Sequence, residues 1–104
     1  MLAVVCEELA RDFSRVGLRE IRVPAAGPGE IRVKVEAASL NFPDLLMLKG
    51  EYQFKPEPPF TVGMDLCGVV DAVGDGVRGF ELGQRVAGGA KTGAFAQFAV
   101  CPAS

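Results

Sequence analysis

Residues 29–50 read Gly-Glu-Ile-Arg-Val-Lys-Val-Glu-Ala-Ala-Ser-Leu-Asn-Phe-Pro-Asp-Leu-Leu-Met-Leu-Lys-Gly. The first part alternates: Ile31, Val33, Val35 and Ala37 are separated by Arg32, Lys34, Glu36 and Ala38. A period of two predicts a β-strand with all four aliphatic residues on one buried face. The second part changes period. Asn41 can cap a helix, Pro43 stands in the first turn where its missing N–H is harmless, and Asp44 faces the positive end of the helix dipole. Leu45 to Leu48 are apolar, Lys49 complements the C-terminal end, and Gly50 supplies a left-handed stop. A strand followed by a short helix is therefore expected here.

Toward the C-terminus, a loop with Pro56, Pro58 and Pro59 runs to Gly63. Leu66 to Val73 is a nearly continuous apolar run, which reads as a strand buried on both faces. Cys67 lies within it and reads as a packed small hydrophobe. After the turn at Gly74-Asp-Gly76, short strands are expected at Arg85–Ala87 and from about Ala94 to Cys101. Toward the N-terminus, Leu2 to Cys6 reads as a strand. Leu18, Ile21 and Val23 suggest a second strand ending at Pro24. At least five short strands, one or two short helices and glycine-rich turns read as a small, mainly β, barrel-like domain.

Composition narrows the chemistry. The 104 residues include no histidine, 11 basic and 13 acidic side chains, 13 Gly and 7 Pro. Without His there is no Ser-His-Asp or Cys-His nucleophile pair and no imidazole ligand for a metal. A net charge of −2, no Trp and one Tyr leave neither a basic surface nor stacking platforms for nucleic acid. Cys6, Cys67 and Cys101 are scattered, with no C-x-x-C, so neither a disulfide framework nor a zinc ribbon is expected. The first residues carry acids where a signal peptide would be basic, and no apolar run approaches the roughly 20 residues of a membrane span. The expectation is a cytoplasmic protein with no membrane partner.

Two motifs mislead. Gly74-Asp-Gly76-Val-Arg-Gly79 is a literal G-x-G-x-x-G after a strand. A dinucleotide fingerprint needs a following helix and an acid about 20 residues on. Gly83 interrupts the one, and no Asp or Glu follows Glu81, so this is a turn. Gly88-Gly-Ala-Lys91-Thr92 lacks the glycines of a phosphate loop. On local chemistry Asn41 and Tyr52, each the sole residue of its type, are a helix cap and a loop anchor unless something further recruits them.

The order of features is specific. Gly29 to Val35, Ala38-Ser-Leu-Asn41-Phe-Pro-Asp44, Pro59-Phe-Thr-Val-Gly63-Met-Asp65, Gly68-Val-Val, Val73 to Phe80, Gly83-Gln-Arg-Val86 and Gly93 to Pro102 together resemble the medium-chain dehydrogenase/reductase superfamily. Within it they are most similar to the zinc-independent quinone oxidoreductases, the zeta-crystallin group. The resemblance covers essentially the whole chain. It implies that residues 1–104 are a GroES-like, partly open β-barrel, the N-terminal catalytic domain, with the Rossmann cofactor domain absent from this stretch.

The resemblance also implies a reaction: hydride transfer from NADPH to a quinone or enone, in a cleft between the two domains. Asn41 and Tyr52 would be catalytic, hydrogen bonding the nicotinamide end of the cofactor and the substrate carbonyl oxygen. Asp44 would join Asn41 in the cofactor pocket, and Leu46 and Met64 would line the substrate pocket with Tyr52. Asn41 and Met64 stand where the zinc-dependent alcohol dehydrogenases place a Cys and a His, so no metal is expected. Leu46 replaces an aromatic residue common in the group. Asp65 replaces a Glu, and Gln84 an Asp; both changes read as structural. The full-length enzyme is expected to be a homo-oligomer, and the isolated chain inactive. The alternative is a stand-alone, non-catalytic GroES-like binding or assembly module.

Overall fold

The alternating stretch becomes the longest strand of the molecule. Among the described residues, 1–103 of a computed structural model, there are seven strands and one helix. In chain order they are β1 (Leu2–Cys6), β2 (Val16–Glu20), β3 (Glu30–Ser39), α1 (Phe42–Lys49), β4 (Phe60–Thr61), β5 (Asp65–Val73), β6 (Arg85–Gly89) and β7 (Phe98–Pro102). They form two antiparallel sheets that do not close on each other. One has the order β2-β1-β4, the other β6-β5-β3-β7. The mainly β, partly open barrel expected from the sequence is therefore what the chain adopts.

Two cores fill it. Ile31, Val33, Leu66, Val70, Ala99 and Cys101 pack inside the four-stranded sheet. Cys6, Met47, Leu48, Phe60 and Val62 join the three-stranded sheet to α1. Removing these apolar side chains from water is the main source of stability, at about 25 cal/mol per Å² of apolar surface. The helix stops as the sequence suggested. Gly50 has φ 76°, its N–H donates to the Met47 carbonyl, and the Glu51 N–H donates to the Leu46 carbonyl.

The inner-face rule for β3 holds at Ile31 and Val33 and then fails. Val35 is half-buried and Ala37 exposed. In the pairing with β5, Val35 stands opposite Gly68 and Ala37 opposite Cys67, so Glu36 is an extra residue. One inserted residue at a bulge re-aims the side chains beyond it. A second irregularity leaves Asp71 of β5 unpaired between Val70 and Ala72, and its carboxylate accepts a hydrogen bond from Arg32 Nε at 2.8 Å.

Four further expectations change. β5 is buried on one face only: Leu66, Gly68 and Val70 point inward, whereas Asp65 and Cys67 are exposed. No described element covers the other face at that end, so Cys67 is not a packed hydrophobe. β2 ends at Glu20, paired with Leu2 of β1; Ile21 still exchanges hydrogen bonds with Met1, and Val23 lies beyond the strand. The proline-rich loop contains the short strand β4, whose Thr61 and Phe60 pair with Val5 and Cys6. Finally, residues 94–97 are not the start of β7. Phe95 N–H donates to the Val62 carbonyl, Val4 N–H to the Phe95 carbonyl, and Val35 N–H to the Gln97 carbonyl. This segment crosses from one sheet to the other. The Gly74–Gly79 stretch is a turn, with Gly74 N–H bonded to the Glu30 carbonyl and Gly29 N–H to the Asp75 carbonyl.

Gly68 lets β3 and β5 approach. A Cβ there would collide with the Lys34 carbonyl oxygen and press on Val33 Cγ1. Gly68→Ala is expected to lower unfolding free energy by about 1–3 kcal/mol in urea titration. Gly88→Ala, on β6 with open space around its Cβ, should change it by less than about 0.5 kcal/mol.

Candidate functional site

The site forms where the strand-to-helix stretch meets the start of β5. Ser39 at the end of β3 pairs with Asp65 at the start of β5, which brings Asn41, two residues later, over Asp65. Asn41 is extended, at φ −121° and ψ 161°, as an N-cap requires. Asn41 and Asp44 take up the reciprocal arrangement of a capping box, and hydrogen bonding closes its Asp44 half. The Asn41 main-chain N–H donates to Asp44 Oδ2 at 2.9 Å, and the Asp44 N–H donates to the Asn41 main-chain carbonyl at 3.0 Å. The Asn41 side chain is drawn elsewhere: Nδ2 donates to Asp65 Oδ2 at 2.6 Å and to Ser39 Oγ at 3.3 Å.

Asp44 is the one buried charged residue in the described core, 1% exposed. Its Oδ2 is held by the Asn41 N–H, whereas Oδ1 has no hydrogen-bond partner. A buried polar atom without a partner costs about 1–3 kcal/mol, and the dipole at the N-terminus of α1 offsets part of that. Such an atom marks a place where a ligand group or a water completes the structure.

Beside these residues lies a shallow groove of about 290 Å³ formed by Ala37, Ala38, Ser39, Asp65, Leu66 and Cys67. Its floor is flat because the side chains are small. Leu40 and Phe42, 59% and 70% exposed, rise next to it in the chain. Tyr52 and Met64 are partly buried and pack against the same core of Met47, Leu48 and Phe60. The Tyr52 hydroxyl has no hydrogen-bond partner among the described residues. The structure thus brings Asn41 together with Asp44, and sets Tyr52 and Met64 against the same core. Leu46 is half-buried and packs in neither core. Asp65 and Ser39 were not among the expected site residues. The signal available was the acid two positions after Gly63, and its reading as purely structural missed the contact with Asn41.

A larger cavity, about 340 Å³, opens elsewhere, between Phe80, Val86 and Pro102 over the four-stranded core. Its lining side chains are apolar apart from the Cys101 thiol, so the polar groups that chemistry needs are at the groove instead.

The cysteines offer a direct check on the uncovered face. Burial pushes the Cys6 and Cys101 thiols above the ordinary range, and the Glu30 carboxylate adds to the effect at Cys101. The thiolate is the reactive form. Native protein should therefore release one equivalent of chromophore rapidly with a disulfide reagent at pH 8, and three after unfolding in urea. Cys67→Ser should remove the fast phase. Three equally slow thiols would show that Cys67 is covered.

Comparison with known proteins gives the context of this site. The family model described as the alcohol dehydrogenase GroES-like domain matches residues 27–104. The chain is 46% identical over 82 residues to a mycocerosic acid synthase-like polyketide synthase of Mycobacterium tuberculosis, over 79% of this chain and 4% of that one. It is 41% identical over 86 residues to quinone oxidoreductase-like protein 2 of Rattus norvegicus, over 83% of this chain and 24% of the relative. Among solved structures, the quinone oxidoreductase of Thermus thermophilus, determined also in complex with NADPH, matches with a TM-score of 0.80. The identity is 33%, over 99% of this chain and 30% of that one. The chain spans between 4% and 35% of the length of the curated relatives it matches. The chain belongs to the alcohol dehydrogenase GroES-like domain family, within the medium-chain dehydrogenase/reductase superfamily.

Proposed function

We propose that residues 1–104 serve as the N-terminal catalytic domain of an oxidoreductase that uses NADPH to reduce a quinone or enone, without zinc, the cofactor domain lying outside this stretch. The observation that carries the proposal is the uncovered face. A groove lined mostly by small residues runs beside an anchored amide, Asn41, whose main-chain N–H is held from below by Asp44, a buried carboxylate with a spare oxygen. Those groups fit the nicotinamide end of a dinucleotide, which needs a flat surface for its ring and hydrogen-bonding partners for its carboxamide and ribose. The relative solved with NADPH supports the same reading.

When bound, NADPH would supply the hydride. The residues of this chain would bind and orient. Asn41 and Asp44 hold the end of the cofactor, and the Tyr52 hydroxyl donates a hydrogen bond to the substrate carbonyl oxygen as negative charge builds there. Met64 and Leu46 give the substrate an apolar wall and displace water. A catalytic zinc does not suit this site, because an amide, a thioether and one carboxylate from Asn41, Met64 and Asp65 are not the Cys and His donors that zinc prefers. In this reading the enzyme is cytoplasmic and homo-oligomeric, and the isolated domain is inactive.

The test is kinetic. With the cofactor domain joined to residues 1–104, the enzyme should oxidise NADPH in the presence of a quinone or enone. Tyr52→Phe should lower kcat/KM by about ten- to a hundredfold. If no member of a quinone and enone panel accelerates NADPH oxidation, the proposal fails.

A further inference from the structure

Asn41 is the only asparagine in the chain. Its side chain has two donor protons on nitrogen and one acceptor oxygen. Nδ2 lies 2.6 Å from Asp65 Oδ2 and 3.3 Å from Ser39 Oγ. An ionised carboxylate only accepts hydrogen bonds, so the contact with Asp65 admits a single orientation of the amide, nitrogen toward the carboxylate and oxygen away from it. The bond to Asp65 is charge-assisted and correspondingly strong. Both donor protons are thereby committed within the protein. The Asp44 N–H lies beside the amide oxygen in the capping-box arrangement but makes its hydrogen bond to the main-chain carbonyl of Asn41, so the amide oxygen, with two lone pairs, keeps acceptor capacity. What Asn41 retains for a ligand is acceptor capacity at Oδ1.

We infer that Asp65 is a positioning residue that locks the Asn41 amide with its donors turned inward, so that Asn41 serves the dinucleotide as a hydrogen-bond acceptor and leaves Tyr52 as the donor to the substrate carbonyl. The inference rests on the oxidoreductase reading for the identity of the ligand, but the lock belongs to this chain alone. The matching ligand chemistry is an N–H or O–H donor at the nicotinamide end, either the carboxamide or a ribose hydroxyl.

The lock is tested first on the 104-residue chain by ¹⁵N NMR. The side-chain NH₂ pair of Asn41 should exchange with solvent at least about tenfold more slowly than that of exposed Gln53, and Asp65→Ala should abolish the difference. Equal exchange in the wild type would overturn the inference. The acceptor role is tested in the enzyme joined to its cofactor domain, by NADPH titration. Asn41→Leu should weaken NADPH binding about tenfold, the loss of one well-placed hydrogen bond. The reciprocal swap, Asn41→Asp with Asp65→Asn, keeps both the lock and an acceptor at position 41, and should bind NADPH within about threefold of wild type. A swap as weak as Asn41→Leu, with its folding confirmed by thermal unfolding, would overturn the acceptor role. Reduced 3-acetylpyridine adenine dinucleotide phosphate, which has no carboxamide N–H, separates the two donors. Equal loss with both cofactors on Asn41→Leu points to a ribose hydroxyl; loss with NADPH only points to the carboxamide. No loss with either overturns the assignment. Failure of the wild type itself to bind NADPH would remove the oxidoreductase reading while leaving the NMR result standing.

Discussion

The antiparallel pairing of β3 with β5 is the contact on which the rest of the molecule depends. It joins the two longest strands, supplies Ile31, Val33, Leu66 and Val70 to one core, and sets Ser39 opposite Asp65. The close approach requires a residue without a side chain at position 68, because any Cβ there meets the Lys34 carbonyl. Two local irregularities, at Glu36 and Asp71, adjust the twist and re-aim the strand ends. The consequence at the functional end is direct. With one residue more or fewer before Ser39, the Asn41 amide would not reach Asp65. The 2.6 Å bond at the site is a product of strand register.

The second structural requirement is coupling between the two sheets. Residues 94–97 hydrogen bond first to the segment around β4 and β1 and then to β3, and Phe95 packs against both cores. That crossing holds the helix-bearing core, with Tyr52 and Met64 on its surface, in a fixed relation to the strand pair that carries Asp65. The site therefore draws on both cores, while its open face draws on neither. Small side chains along Ala37, Ala38 and Cys67 contribute little burial within this chain and leave a surface suited to being covered by something flat.

Local signals and long-range pairing divide what could be read from the sequence. The alternation over Ile31–Val33, the proline and acid in the first turn of α1 and the left-handed Gly50 are local, and each appears where expected. The end of β2, the short β4 and the crossing at 94–97 depend on which residues happen to lie opposite, which no local pattern contains. Cys67 was misplaced for a similar reason: an apolar run announces a strand, but whether a second layer covers it is decided elsewhere in the chain. At the site, Asn41, Asp44, Tyr52, Leu46 and Met64 came from resemblance to a family rather than from their chemistry. The role of Asp65 was invisible until the strand register placed it under Asn41. Asp44 reads in sequence as a helix-capping acid, and its burial and spare oxygen emerge only with the fold.

The central claim is that the nicotinamide end of a dinucleotide lies at the Asn41 groove, within reach of Met64, and not in the larger apolar cavity bounded by Phe80, Val86 and Pro102. The most direct measurement is ¹³C NMR of methionine methyl groups in the enzyme joined to its cofactor domain, with Met64 assigned by comparison with Met64→Leu. On NADPH addition the Met64 methyl should move under the ring current of the nicotinamide, while Met47, 3% exposed in the core, stays fixed. Saturating NADPH that leaves Met64 unmoved, or that perturbs instead the residues around Phe80 and Val86, would contradict the account.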